Sequence, residues 1–110
     1  MSPLEQGDLI EIDFTPAVGH EPAKLRPAVV ISGYGFNSRS SLVALVPISS
    51  TDNGYPLHVK IETDKVSGFA FVEALRTLDV TQRGYTLLGY ADDDVMKKIL
   101  TNIRGMFELY

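Results

Sequence analysis

Apolar and polar residues alternate along Ile10, Glu11, Ile12, Asp13 and Phe14. That period of two marks a half-buried strand, which Pro16 brings to an end. Residues 27–31 and 42–48 are instead short, continuous runs rich in β-branched side chains, the pattern of strands buried on both faces. Alternation returns over residues 58–62. Residues 69–80 form a longer apolar stretch broken by Glu73, Arg76 and Asp79, which reads as two strands or one bent strand, and residues 85–90 read as the last strand. From Asp92 onward the period changes: Val95, Ile99, Ile103 and Met106 recur at helical spacing, with Leu100 and Phe107 widening the stripe. Asp92 is placed to accept bonds from the free amides of the first turn, and Asp93 and Asp94 complement the positive end of the helix dipole. About six short strands followed by one amphipathic helix predict a mainly β fold, a small, highly curved sheet or barrel with the helix covering one side. Without βαβ alternation, a Rossmann or flavodoxin arrangement is not expected.

Composition narrows the function classes. A chain of 110 residues makes one domain, residues 1–110, with a core small enough that a dimer would help to stabilise it. Hydrophobic residues at 45% and charged residues at 22% exclude a disordered chain. The absence of cysteine excludes a disulfide framework, a thiolate zinc site and a cysteine nucleophile, and fits a reducing cytoplasm. The first six residues lack the basic start and apolar stretch of a signal peptide, and no run is long enough to span a bilayer, so a soluble cytoplasmic protein without a membrane partner is expected. His20 and His58 are the only histidines and provide no ligand spacing for a metal, so none is expected. Gly33-Tyr34-Gly35 lacks the further glycine and the lysine of a phosphate loop, which sets nucleotide binding aside.

A net charge of -4 opposes long-range attraction to a polyanion, so any nucleic-acid site must be local. Residues 22–51 contain no acidic residue but carry Lys24, Arg26 and Arg39, enough for a basic patch on an acidic body. Within that stretch Arg26 precedes Pro27, which biases its backbone to an extended form and holds its side chain at the rim of a strand. Ser49 and Ser50 stand where another strand runs out. In isolation Arg26 would read as a surface ion-pair partner, the serines as turn formers and Glu21 as a solvated carboxylate. Tyr34, Phe36 and Arg39 occupy a Gly- and Ser-rich loop over residues 33–41. The two aromatic rings suit either stacking on unpaired bases or covering a core edge or dimer seam.

Taken in order, these segments resemble the MazF/PemK family of type II toxin endoribonucleases, the mRNA interferases. The likeness rests on Gly7-Asp8-Leu9-Ile10 with Asp13-Phe14, Gly19-His20-Glu21, Arg26-Pro27-Ala28-Val29-Val30 and Val46-Pro47 followed by polar residues. Gly54-Tyr55-Pro56, Gly68 with Ala70, and Arg83-Gly84 extend it over nearly the whole chain. The resemblance implies an SH3-like small barrel of CcdB/MazF type with a C-terminal helix, a homodimer, and cleavage of single-stranded RNA without metal or cofactor that inhibits translation and growth. It also implies a MazE-like antitoxin whose extended, acidic C-terminal segment blocks the RNA groove. The family's catalytic arginine matches Arg26, its catalytic threonine falls on Ser49 with Ser50 adjacent, and its loop glutamate matches Glu21. Lys24, Tyr34, Phe36, Arg39, Ser50 and Arg83 become the expected RNA contacts. Two departures bear on sequence preference: Leu25 stands where a histidine often precedes the arginine, and Ala74 replaces a common glutamine.

Metal-independent cleavage uses the RNA 2′-hydroxyl as nucleophile, so a group must accept its proton, stabilise the phosphorane and protonate the departing 5′-oxygen. A guanidinium is always protonated, so Arg26 fits charge stabilisation and proton donation, Ser49 fits hydrogen bonding to the phosphate, and Glu21 is the local candidate base. The competing reading is a noncatalytic binding toxin or interaction module on the same scaffold. The gyrase poisons resembling CcdB depend on a C-terminal tryptophan, whereas this chain has no Trp and ends Phe107-Glu108-Leu109-Tyr110.

Overall fold

The computed structural model describes residues 4–15, 19 and 24–108. Seven strands form one curled antiparallel sheet: β1 (Asp8–Asp13), β2 (Leu25–Val30), β3 (Leu42–Ser49), β4 (Val59–Glu62), β5 (Ser67–Ala70), β6 (Arg76–Asp79) and β7 (Thr86–Tyr90). Two single-turn helices, α1 (Tyr34–Asn37) and α2 (Val80–Arg83), and the C-terminal α3 (Asp93–Gly105) complete the described residues, with a 3₁₀ turn over Val72–Ala74. The strand order is β4-β5-β3-β2-β1-β7, with β6 also on β3. The expected mainly β, SH3-like barrel with a C-terminal helix is the observed architecture.

The curl originates in β3. One edge pairs with β2, while the other pairs first with β6 over Leu42 to Leu45 and then with β5 at Ile48 and Ser49. Pro47 lies in the gap between those two partners, and its carbonyl accepts the Phe71 N–H at 2.9 Å. The missing proline N–H faces the same gap, so Pro47 interrupts no ladder bond.

Because β2 and β3 are central, both of their faces are buried, which is why their sequences run apolar without alternation. One core holds Leu9, Val29, Val46, Ile48, Val59, Ile61 and Val72 beneath α3, whose Val95, Met96, Ile99, Leu100, Ile103 and Met106 close over them. The other holds Ile10, Ile12, Phe14, Ala28, Val30, Val43, Leu45 and Leu78 inside the curl. Alternation along β1 divides Leu9 from Ile10 and Ile12 accordingly.

Several local expectations change. The residues 69–80 stretch resolves into two strands joined by a 3₁₀ turn, bringing the total to seven. The first strand ends at Asp13. Asp92 occupies the N-cap of α3 without a side-chain capping bond, while Asp93 and Asp94 supply the acidic first turn. Phe107 lies beyond the helix and is exposed. The loop expected over residues 33–41 contains α1, and its Asn37 is fully buried. A helix of one turn is too short to leave a hydrophobic period.

Candidate functional site

The antiparallel register of β2 and β3 pairs Ala28 with Pro47, and two residues farther out the same register sets Arg26 opposite Ser49. There the strands open into a hollow of about 390 Å³ lined by Arg26, Pro27, Ile48, Ser49, Ser50, Thr51 and Ser67. Its described lining carries one guanidinium, four hydroxyls and no carboxylate. Such a lining offers charge-assisted and neutral donors to an anion and nothing that repels one. The Ser49 Oγ accepts the Thr51 N–H at 3.2 Å, which fixes the oxygen and leaves the hydroxyl proton to donate outward.

Close backbone approach builds this corner. A Cβ on Gly68 of β5 would lie 2.5 Å from the Ser49 carbonyl oxygen and 3.1 Å from Ile48 Cγ2, so only glycine lets β5 pair with Ser49 in this position. On the other strand, Lys24 adopts φ of 68°, a left-handed conformation costing a non-glycine residue about 1–2 kcal/mol. Its carbonyl accepts the Phe14 N–H at 2.9 Å, and the resulting turn directs the chain into β2 two residues before Arg26. Thr51 and Ser67 were not singled out in the sequence. Thr51 continues the serine pair and was legible there, whereas Ser67 reaches the hollow only through the β3–β5 pairing.

The remaining predicted residues divide. Lys24 is exposed beside β2. Tyr34 and Phe36 are about half exposed and Arg39 is exposed, but they follow the far end of β2, where Val30 pairs with Leu45. The stretch of β3 from Leu45 to Ser49 therefore separates them from the hollow, about 13 Å at strand rise. Arg83 donates from Nη1 to the carbonyls of Asp13 at 2.6 Å and Thr15 at 2.5 Å, tying α2 to the end of β1. Asp13 is held below its ordinary carboxyl range by the Thr15 hydroxyl first, then by the Thr15 amide, with a smaller contribution from the Arg83 charge. Glu21 and His20 lie outside the described residues.

One cluster had no counterpart in the sequence reading. His58, whose side chain is 1% exposed, places Nδ1 2.9 Å from Asp52 Oδ1 and Nε2 2.6 Å from Glu73 Oε2. Its ring stacks on Phe71 with centroids 3.8 Å apart and meets Tyr55 edge-on at 5.5 Å. Burial pulls the imidazole pKa down, but the bonds to Asp52 and Glu73 and their negative charges outweigh it and leave the pKa raised. The His58 bond is also the main cause of the lowered Asp52 pKa. The two carboxylates address opposite ring nitrogens, so the three groups do not converge on a common point for an ion. Among the described residues no such metal-binding group occurs, and no helix is long and apolar enough to cross a membrane.

Comparison with known proteins identifies the lineage. The endoribonuclease toxin MazF of Escherichia coli K12 is 31% identical over 99 residues, 90% of this chain and 89% of the relative. The crystal structure of MazF from Deinococcus radiodurans superposes with a TM-score of 0.89 at 30% identity, covering 96% of this chain and 97% of that one. A chain of the MazE–MazF crystal structure from the same organism gives a TM-score of 0.83 at 25% identity over the full length of both. The family model for PemK-like, MazF-like toxins of type II toxin–antitoxin systems matches residues 5–107, and the chain belongs to that family.

Proposed function

We propose that this toxin is an endoribonuclease that cleaves single-stranded RNA through attack of the 2′-oxygen on the adjacent phosphorus, without a metal. The observation that carries this reading is the hollow in which Arg26 stands opposite Ser49 among hydroxyls. Attack forms a 2′,3′-cyclic phosphate as the bond to the 5′-oxygen breaks. The 2′-hydroxyl gives up a proton and the leaving oxygen gains one. Arg26 neutralises the growing phosphorane charge and donates toward the leaving oxygen, and Ser49 donates its hydroxyl proton to a nonbridging oxygen. Glu21, in the segment preceding β2, is the assigned base.

Ser50 and Lys24 flank the scissile phosphate in this scheme. Tyr34, Phe36 and Arg39 engage RNA farther along the strand or on a second copy of the chain, since β3 separates them from Arg26. Arg83 contributes by holding the end of β1, with its remaining guanidinium donors toward RNA. A homodimer and a MazE-like antitoxin with an acidic C-terminal segment complete the assembly. The MazE–MazF crystal structure of the Deinococcus relative supports the second, and the arginine-bearing hollow is suited to an antitoxin carboxylate as it is to phosphate.

The test is incubation of the protein and its Arg26→Ala variant with long single-stranded RNA in excess EDTA, followed by mapping of cut sites and end groups. Discrete cuts with cyclic phosphate ends from the unmodified protein alone are expected. Cutting retained by Arg26→Ala would remove Arg26 from the chemistry. Intact RNA from both, with the fold verified by circular dichroism, would replace the ribonuclease reading with a noncatalytic toxin.

A further inference from the structure

From the closed ring of contacts around His58, we infer that this histidine is a positioning residue which, in its doubly protonated form, holds the Ser49–Ser50–Thr51 turn in its RNA-binding geometry through Asp52. This inference rests on the proposed RNA site and adds a control built into it.

The chain path gives the geometry. Residues 50–57 leave the end of β3 and return at β4, held mostly by short local bonds: Thr51 N–H to Ser49 Oγ, Gly54 N–H to Asp52 Oδ1 and Tyr55 N–H to Asn53 Oδ1. The link from Asp52 through His58 to Glu73 crosses from this loop to the 3₁₀ turn. That turn is fixed in place because the Phe71 N–H binds the carbonyl of Pro47, two residues before Ser49. The ring thus closes through the backbone that carries the candidate site. Asp52 is the third residue after Ser49, so its restraint acts almost directly on the hydroxyl turn.

Chemistry sets the protonation requirement. An ionised carboxylate only accepts hydrogen bonds, so engaging one at each ring nitrogen requires both nitrogens to carry hydrogen, which is the imidazolium. A neutral imidazole has one N–H and must leave one carboxylate facing a lone pair. The flat face on Phe71 and the edge against Tyr55 hold the ring where both bonds are made at once. The charged and titratable groups around it are Asp52, Glu73 and Tyr55 on the loop and turn side. Lys60 of β4 and Lys97 and Lys98 of α3 line the same hollow of about 460 Å³ as His58. The lysines are exposed and oppose the imidazolium only weakly, whereas the carboxylates contact it directly.

The test follows the imidazole and the loop separately from the RNA. Two-dimensional NMR titrates the His58 ring, assigned by its loss in His58→Gln, together with the amides of Thr51, Asp52 and Asn53. Binding of an RNA oligomer made uncleavable by 2′-deoxy substitution is measured at about pH 6 and about pH 9, on either side of the histidine range. The loop amides are expected to shift with the ring's own midpoint, and RNA affinity to fall by at least about fivefold across it, the low end of ordinary coupling between sites. Asp52→Asn should leave the ring titrating against Glu73 while the loop ceases to follow. His58→Gln should bind RNA weakly at both pH values. Loop amides that ignore the ring titration, or an equal pH dependence of RNA affinity in His58→Gln, would overturn the positioning role. Loop amides that follow the ring in a protein that binds no RNA would overturn the RNA-site reading and leave the clasp standing.

Discussion

The two ends of the β2–β3 ladder carry similar residue types and put them to opposite uses. At the inner end, Asn37 is fully buried: its Oδ1 accepts the Ser32 hydroxyl, its Nδ2 donates to the carbonyls of Leu4 and Ser32, and Ser32 Oγ accepts the Ala44 N–H. These polar groups answer one another and seal the end of the sheet. At the outer end, Ser49, Ser50, Thr51 and Ser67 surround a hollow with Arg26, and the Ser49 hydroxyl retains a proton with an open direction to donate in. A polar cluster that closes on itself is structure, and one that leaves a donor facing open space is equipped to bind.

Arg26→Ala should draw that contrast most sharply, slowing RNA cleavage by about 10²–10³-fold, the usual consequence of losing one charge-stabilising donor. Urea unfolding should register a much smaller change for this partly buried side chain at the rim of β2. The reverse is expected of Asn37→Ala, which removes three hydrogen bonds made by a fully buried side chain and should cost about 2–3 kcal/mol of stability in urea unfolding, with cleavage per folded molecule unchanged. Gly68→Ala joins the two behaviours: the added methyl meets the Ser49 carbonyl, so about 1–3 kcal/mol of overpacking should accompany a loss of activity smaller than that of Arg26→Ala. A smaller effect is expected in the pH dependence of stability. The folded-state pKa of His58 is raised, so its contribution is complete below the unfolded histidine value and disappears as pH rises through the folded one. The difference in thermal midpoint between the unmodified protein and His58→Gln should shrink over that interval, and a difference growing with pH would contradict the assigned imidazolium. Smallest of all, Tyr34→Ala and Phe36→Ala should alter cleavage of a short oligomer spanning only the cut site by less than about twofold, since at least the stretch of β3 from Leu45 to Ser49 separates them from the hollow.

Much of this architecture was legible because its signals are local. The unbroken apolar runs announced β2 and β3 as central strands, and the shift of period after Asp92 announced α3 almost to the residue. What escaped depends on contacts distant in sequence. Asn37 sits in a segment whose glycines and serines imitate a loop, and its burial comes from Leu4 and Ser32. Asp92 has the right identity for a cap yet makes no side-chain capping bond. Arg26 and Ser49 were singled out through their resemblance to a family pattern, and the strand register sets them opposite each other. Ser67, and the grouping of Asp52, His58 and Glu73, had no sequence period to reveal them, because the pairing of β5 with β3 brings in the first and the pairing of β4 with β5 and the turn after β5 bring together the others.

Arg83 closes the curl by donating to two main-chain carbonyls, those of Asp13 and Thr15. Every residue type offers that acceptor, but the path presenting the two carbonyls is set by the Asp13 carboxylate, which accepts the Thr15 N–H at 2.8 Å and its hydroxyl at 2.6 Å. The dependence runs both ways: position 13 needs an acceptor and position 15 a hydroxyl to keep that turn, while position 83 admits few replacements with the reach and the forked donors to grasp it. The outer rim of β1 and α2 are therefore constrained together, although 70 residues separate Asp13 from Arg83 in the chain.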